Sequence, residues 1–162
     1  MMSQLEGRFC FGTYHWKIQS FEKRRLDAIT GAMVAQFSPS ICNRLYGYNF
    51  CMMMYPNGVN SGVGSHVAIY VHMIQGENDD RLQWPFTGVI TLSILDRSGS
   101  ETPNDITKVL TASPNLAAFR KPTAIWNSTG CGFERFAPIY EVLQPRFLKN
   151  DTLVVKMEIS LR

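Results

Sequence analysis

The stretch His66–Asp96, HVAIYVHMIQGENDDRLQWPFTGVITLSILD, constrains the fold more than any other part of the chain. Two β-rich runs, His66–Ile74 and Gly88–Leu95, flank a polar turn (Gly76-Glu77-Asn78-Asp79-Asp80) and the sequence Leu82-Gln83-Trp84-Pro85-Phe86. In the first run Val67, Ile69, Val71 and Met73 alternate with Ala68, Tyr70, His72 and Ile74. In the second, Val89, Thr91, Ser93 and Leu95 alternate with Ile90, Leu92 and Ile94. Apolar residues on both faces of a period-two pattern predict central strands, each covered on both sides. Pro85 falls just before the second run, where it removes no ladder bond from a strand centre. Trp84 and Phe86 are large enough to clamp the connection onto a core. The chain therefore reads as a β-sheet protein built around that pair of runs.

The remaining segments extend the pattern. Tyr14, Trp16 and Ile18 share one face of a short strand, Thr13–Ile18. Ser20–Ala32 has the best helical composition, with Ser20 two residues before Glu22 and Gly31 as a stop signal, and reads as a short helix or an irregular excursion. Gly31–Phe37 reads as a second strand ended by Ser38-Pro39-Ser40, and Tyr48–Tyr55 as a third, closed by Pro56-Asn57-Gly58. The loop Gly58–Gly64 joins that strand to His66 as a hairpin; it lacks a P-loop lysine and a following helix, so phosphate binding is not its reading. Asp105–Leu110 is a strand or helical turn, Gly130–Phe136 a glycine-flanked strand-like segment, and Thr152–Leu161 the last strand. Many short strands between turns, with little helix, predict an antiparallel β-sandwich.

The 162 residues suit one domain with a sizeable core. A formal net charge of +3 and the lack of a long basic run point away from nucleic acid. Glu22-Lys23-Arg24-Arg25 reads as a solvated turn or helix face. No signal peptide or long apolar run is seen, so neither export nor a membrane span is expected, and the four cysteines are read as reduced and mostly buried. No zinc spacing links Cys10, Cys42, Cys51 and Cys131 to His15, His66 and His72, so no metal or other cofactor is expected. Glu77, Asp79 and Asp80 lack the alternation of a calcium loop and read as a solvated hairpin turn. Asn127-Ser128-Thr129 and Asn150-Asp151-Thr152 read as chance matches to the glycosylation pattern. Cys131 with His66 or His72 is the best nucleophile and base, yet nothing in the sequence brings them together. By elimination the chain reads as a binding module that takes an extended peptide along a sheet edge.

A series of motifs then carries a resemblance. Tyr14-His15-Trp16-Lys17-Ile18, Phe37-Ser38-Pro39, Tyr46-Gly47-Tyr48, Asn57-Gly58, Trp84-Pro85-Phe86, Ile94-Leu95-Asp96, Phe119-Arg120-Lys121-Pro122 and Lys149-Asn150-Asp151-Thr152-Leu153 occur in that order. Together they resemble the C-terminal (TRAF-C, or MATH) domain of the TNF-receptor-associated factors, closest over residues 73–122 to the sixth mammalian paralogue. The resemblance implies an eight-stranded antiparallel sandwich at residues 13–162, with residues 1–12 a remnant leading from a coiled coil. It implies a cytosolic adaptor, not an enzyme, that docks Pro-x-Glu/Gln-like peptides from the tails of TNF-type or interleukin-1/Toll-pathway receptors or adaptors. Partners with nucleic acid and membrane insertion are not implied. A homotrimer is implied for the full-length protein, with this fragment a monomer or weak trimer, and a RING-type ubiquitin ligase region would lie outside this chain. The alternative is the substrate-recognition MATH module of a ubiquitin-ligase scaffold, which the Trp84-Pro85-Phe86 and Phe119–Pro122 pattern disfavours.

The resemblance also places the peptide site. The main chain of Leu116-Ala117-Ala118 would bind the peptide's central Gln or Glu, without the serine hydroxyls that several paralogues have there. Leu110, Cys131 and Phe133, with Gly130 beside them, would line a pocket for the peptide's proline. Tyr70 and Leu92 would extend its floor, and Tyr55 would meet the downstream end. Met53 stands where most paralogues have an arginine, and Val59 where several have an aspartate. Loss of a charge-assisted bond of about 1.5–3 kcal/mol shifts the expected downstream preference from acidic to apolar.

Overall fold

The structure is a computed structural model and describes residues 12–161. The lead-in expected over residues 1–12, except Gly12, and Cys10 lie outside the described residues. Nine strands are present among the described residues: β1 (Thr13–Ile18), β2 (Gln36–Phe37), β3 (Ile41–Cys42), β4 (Asn49–Tyr55), β5 (His66–Ile74), β6 (Gly88–Ile94), β7 (Ile106–Thr111), β8 (Cys131–Pro138) and β9 (Leu153–Leu161). Helix α1 spans Phe21–Thr30 and a single turn, α2, spans Ile139–Val142. One sheet has the order β1-β9-β6-β7; the other has β2-β4-β5-β8, with β3 also paired to β4. All pairings are antiparallel. The expected sandwich is present, with nine strands in place of eight because β2 and β3 are separate two-residue pieces.

The two runs that dominate the sequence do not pair with each other. β5 lies between β4 and β8, and β6 between β9 and β7, so each is central in its own sheet. This is why both alternations looked doubly apolar. One face of each strand meets the other sheet across the core. Val67, Ile69, Val71 and Met73 from β5 join Phe50, Met52 and Met54 from β4 in one core cluster with Ile90, Leu92 and Ile94 from β6 and Leu153, Val155 and Met157 from β9. Burial of each such side chain contributes about 1.5–3 kcal/mol, which makes this layer the main source of stability.

The connection from β5 to β6 is tied down by aromatic rings and by a buried aspartate. The Phe86 ring is fully buried, with the Tyr48, Phe50 and Phe119 rings at 5.1, 5.1 and 5.8 Å. Trp84, before a cis Pro85, packs edge-on to Tyr48 and donates its indole N–H to the Asp79 carbonyl at 2.8 Å. Asp79 itself is buried, and its Oδ2 accepts the Gly76 N–H at 3.0 Å. The turn read as solvated is thus anchored inward at Asp79, while Asp80 stays exposed in an ion pair with Lys121.

Helix α1 ends as expected, with Gly31 left-handed at φ 83° and its N–H on the Ala28 carbonyl. Its start is capped from elsewhere. Ser20 makes no side-chain cap, and Asp151, before β9, accepts the Phe21 N–H through its carbonyl at 3.0 Å and the Glu22 N–H through its carboxylate at 2.9 Å. The expected strand 31–37 is reduced to Gln36–Phe37.

Candidate functional site

The pairing register decides which side chains the five-stranded sheet turns away from the core. Met53 lies opposite Tyr70, Cys51 opposite His72 and Phe37 opposite Met53. Tyr70 in turn lies opposite Gly132 and Val71 opposite Cys131, which brings Gly130 next to His72 at the start of β8. The outward positions of β4, β5 and β2 therefore make a continuous surface of Phe37, Met53, Tyr55, Tyr70 and His72. No lysine or arginine occupies an outward position paired in this sheet.

Rings hold this surface in place. Tyr55 and Tyr70 meet edge-on at 6.1 Å, and the Tyr55 hydroxyl donates to the Met53 Sδ at 3.6 Å. Trp126, bridged to Ile74 in the loop before β8, packs at 4.6 Å from His72 and 5.9 Å from Phe37. Phe37 remains 50% exposed. A recess of about 200 Å³ opens here, lined by Tyr55, Val59, Asn60, Tyr70, His72, Ser128 and Gly130. A larger hollow of about 410 Å³ lies at the Asn49–Ile74 end of the same strands, walled mainly by the turns around Leu45–Gly47 and Gln75–Asn78 with Cys42 of the short strand β3 beside them.

The rim beyond the recess is the turn Ala117–Phe119. Asn127 braces it by donating its Nδ2 to the carbonyls of Ala117 and Ala118 at 3.0 and 3.2 Å. The Asn127 carbonyl lies 2.8 Å from the His72 Nδ1, so one residue ties this rim to the floor of the recess. The N–H groups of Ala117 and Ala118 open the turn, where no carbonyl within it can accept them. Ala117 is exposed and Leu116 partly so, whereas Ala118 is buried.

The residues assigned to the site from sequence divide across β8. Met53, Tyr55, Tyr70 and Gly130 stand on the outer face with the recess. Cys131 and Phe133 take the alternate positions, opposite Val71 and Ile69, and pack against the core cluster where the sandwich opens. Phe133 lies edge-on to Phe136 at 6.0 Å, and Lys108 of β7 sets its Nζ 5.7 Å from the Phe133 ring, so the two free sheet edges meet at this ring. Leu110 is buried and Leu92 is 0% exposed, so Leu92 supports the floor from beneath without reaching a ligand. Val59 lines the recess.

Burial sets the protonation chemistry. It pushes the Cys131 thiol up and the Cys51 thiol up to about 11, the reverse of an activated nucleophile. Burial lowers the His72 pKa despite the Asn127 contact. Tyr70 is raised, by burial first and then by the negative charge of Glu134. Among the described residues no cluster of three or more His, Cys, Asp or Glu is placed to hold a metal ion, and no helix is long and apolar enough to cross a membrane.

Sequence reasoning missed Trp126, Asn127 and the true place of His72. The signal for His72 was present: it is an outward position in a strand whose outward neighbours are apolar. Nothing local in Trp126-Asn127-Ser128 indicates that its loop folds back over β5.

The fold has relatives among known proteins. The family profile described as the TRAF/meprin MATH domain matches residues 33–156. TNF receptor-associated factor 6 of Bos taurus is 33% identical over 99% of the chain, and TNF receptor-associated factor 5 of Mus musculus is 34% identical over 98%. The chain spans 30% and 28% of the length of those two relatives. The solved structure of Notothenia coriiceps TRAF5 superposes with a TM-score of 0.92 at 28% identity, covering 99% of this chain and 79% of that one.

Proposed function

The chain belongs to the TRAF/meprin MATH family, and on that premise we propose that it is a peptide-docking adaptor domain for the cytosolic tails of receptors or adaptor proteins. The observation that carries the reading is the free edge of β8, whose start adjoins the aromatic recess to which Asn127 ties the Ala117–Phe119 turn. An extended peptide added along β8 meets backbone groups at the edge and side-chain pockets on either side of it. Phe133 and Cys131 offer apolar contact for a proline, and the Ala117 N–H offers a donor to a central Gln or Glu. Met53, with Phe37 across from it, offers an apolar shelf to the residue downstream. The domain performs no reaction. In the full-length protein, trimeric assembly would convert weak single-site binding into recruitment to clustered receptors of the TNF or interleukin-1/Toll type.

The test is fluorescence anisotropy with labelled Pro-x-Glu and Pro-x-Gln peptides. Single-site binding near the micromolar range is expected, about −8 kcal/mol, and Phe133→Ala should abolish it with the fold intact. Equal affinity for proline and proline-to-alanine peptides would refute the pocket assignment.

A further inference from the structure

We propose, resting on the peptide-docking reading above, that Lys108 makes the site prefer a peptide with an acidic residue two positions before its proline. Register places this lysine on the core side of its strand. Lys108 lies opposite Leu92 and Leu110 opposite Ile90, and both partners are fully buried core residues. Directly paired residues share a face of the sheet, so Lys108 holds a core-facing position of β7 although it carries a charge. Thr107, Val109 and Thr111 take the opposite face.

β7 is an edge strand, so the charged end can lean out at the open side of the sandwich. There Nζ lies 5.7 Å from the ring of Phe133, on the edge strand of the other sheet. Lys108 is half-buried, and among the described residues no carboxylate pairs with it. The two acidic residues closest in its surroundings are engaged elsewhere. Glu134, next to Phe133, accepts the Ser61 hydroxyl at 2.8 Å, and Asp105, just before β7, accepts the Asp96 N–H at 2.7 Å. A ring face holds an ammonium more weakly than a carboxylate does.

Position along the groove decides which peptide residue meets the lysine. From Leu110 the chain runs on to the Ala117–Phe119 turn, whereas Lys108 lies two residues back, about 7 Å along the strand. With the proline against Leu110 and Phe133 and the central Gln or Glu at the turn, Lys108 falls on the upstream side of the proline. Side chains of an extended peptide alternate. The residue two before the proline, the proline itself and the residue two after it therefore point the same way. A carboxylate at the first of these meets Nζ, in a motif of the form Asp/Glu-x-Pro-x-Gln/Glu.

The experiment measures fluorescence anisotropy with three labelled peptides that share one Pro-x-Gln core and carry Glu, Gln or Lys two positions before the proline. The Glu peptide should bind about fivefold more tightly than the Gln peptide at low salt. The Lys peptide should bind most weakly, and the spread should narrow at about 0.5 M salt. Lys108→Glu should reverse the ranking and Lys108→Met should remove it; the wild-type ranking stands independently of either variant's folding. A lysine that only keeps the strand edge from pairing with another chain would leave the three affinities equal. Equal affinities in proline-dependent binding, or a Glu preference that survives in Lys108→Met, overturn the inference while leaving peptide docking in place. If none of the three peptides binds to natively folded protein, the docking reading falls and takes this inference with it.

Discussion

Gly130→Ala tests the site at its tightest point. A Cβ there would sit 2.5 Å from the His72 Nε2, 2.6 Å from Cε1 and 3.0 Å from Cδ2. The ring cannot easily give way, since Nδ1 is bonded to the Asn127 carbonyl and Trp126 packs at 4.6 Å. Overpacking of this kind costs about 1–3 kcal/mol, and losing the Nδ1 bond would add about 1 kcal/mol. With a urea dependence of about 1–3 kcal/mol per molar, the unfolding midpoint should drop by roughly 1 M. Peptide affinity should fall as well, because the methyl group occupies the recess. Gly31→Ala is the control: nothing lies within 4 Å of its Cβ, and the cost comes from its left-handed φ of 83°. That variant should lose about 1 kcal/mol and leave peptide binding unchanged. Adding His72→Ala to Gly130→Ala should recover part of the steric loss, a coupling visible in a double-mutant cycle. If Gly130→Ala unfolds within about 0.5 kcal/mol of wild type and binds peptide normally, the close packing of Gly130 on His72 is wrong and the recess does not contact the ligand.

Four further outcomes follow from other parts of the structure. Met53→Arg should shift the downstream preference toward acidic residues, read as a rise in affinity for a peptide with Asp or Glu there and a new salt dependence. Asn127→Ala should remove the two donors that brace Ala117 and Ala118, costing about 1–2 kcal/mol and raising amide hydrogen exchange in the turn. His72 has its pKa below the usual 6.5 in the fold, so the unfolded chain takes up the proton first as pH falls. Stability should decline as pH drops below about 6.5, and His72→Phe should flatten that slope in urea titrations. Asp96 is held down to about 2 by the Asn104 and Ser98 N–H groups, with Arg146 adding to the effect. Its contribution is present above its unfolded value of 3.8 and disappears as pH falls toward 2, so the stability gap between wild type and Asp96→Asn should close over that range.

The contrast between β5 and the loop before β8 explains what the sequence can and cannot disclose. In β5 the period-two pattern records burial on each face, so its bounds, His66–Ile74, could be read directly. The same pattern is silent about the partner strand, which is why β5 and β6 were read as a pair although they lie in opposite sheets. Pairing is decided by turns and by long-range closure, and neither leaves a periodic trace. The candidate site follows the same rule. Phe133, Gly130 and Cys131 enter the proposed site through the family resemblance, and the glycine-flanked segment around them reads locally only as a strand. His72, Trp126 and Asn127 could not be placed, because their roles arise where a loop from one side of the chain covers an outward strand position more than fifty residues earlier. The Asp79 turn fails for a related reason: its acidic composition predicts solvent, but the Trp84 indole holds the Asp79 backbone carbonyl, the Gly76 N–H holds its carboxylate, and the residue is buried. Local chemistry thus identifies the strands and the edge, while the proton on one buried imidazole is placed by a carbonyl distant in the chain.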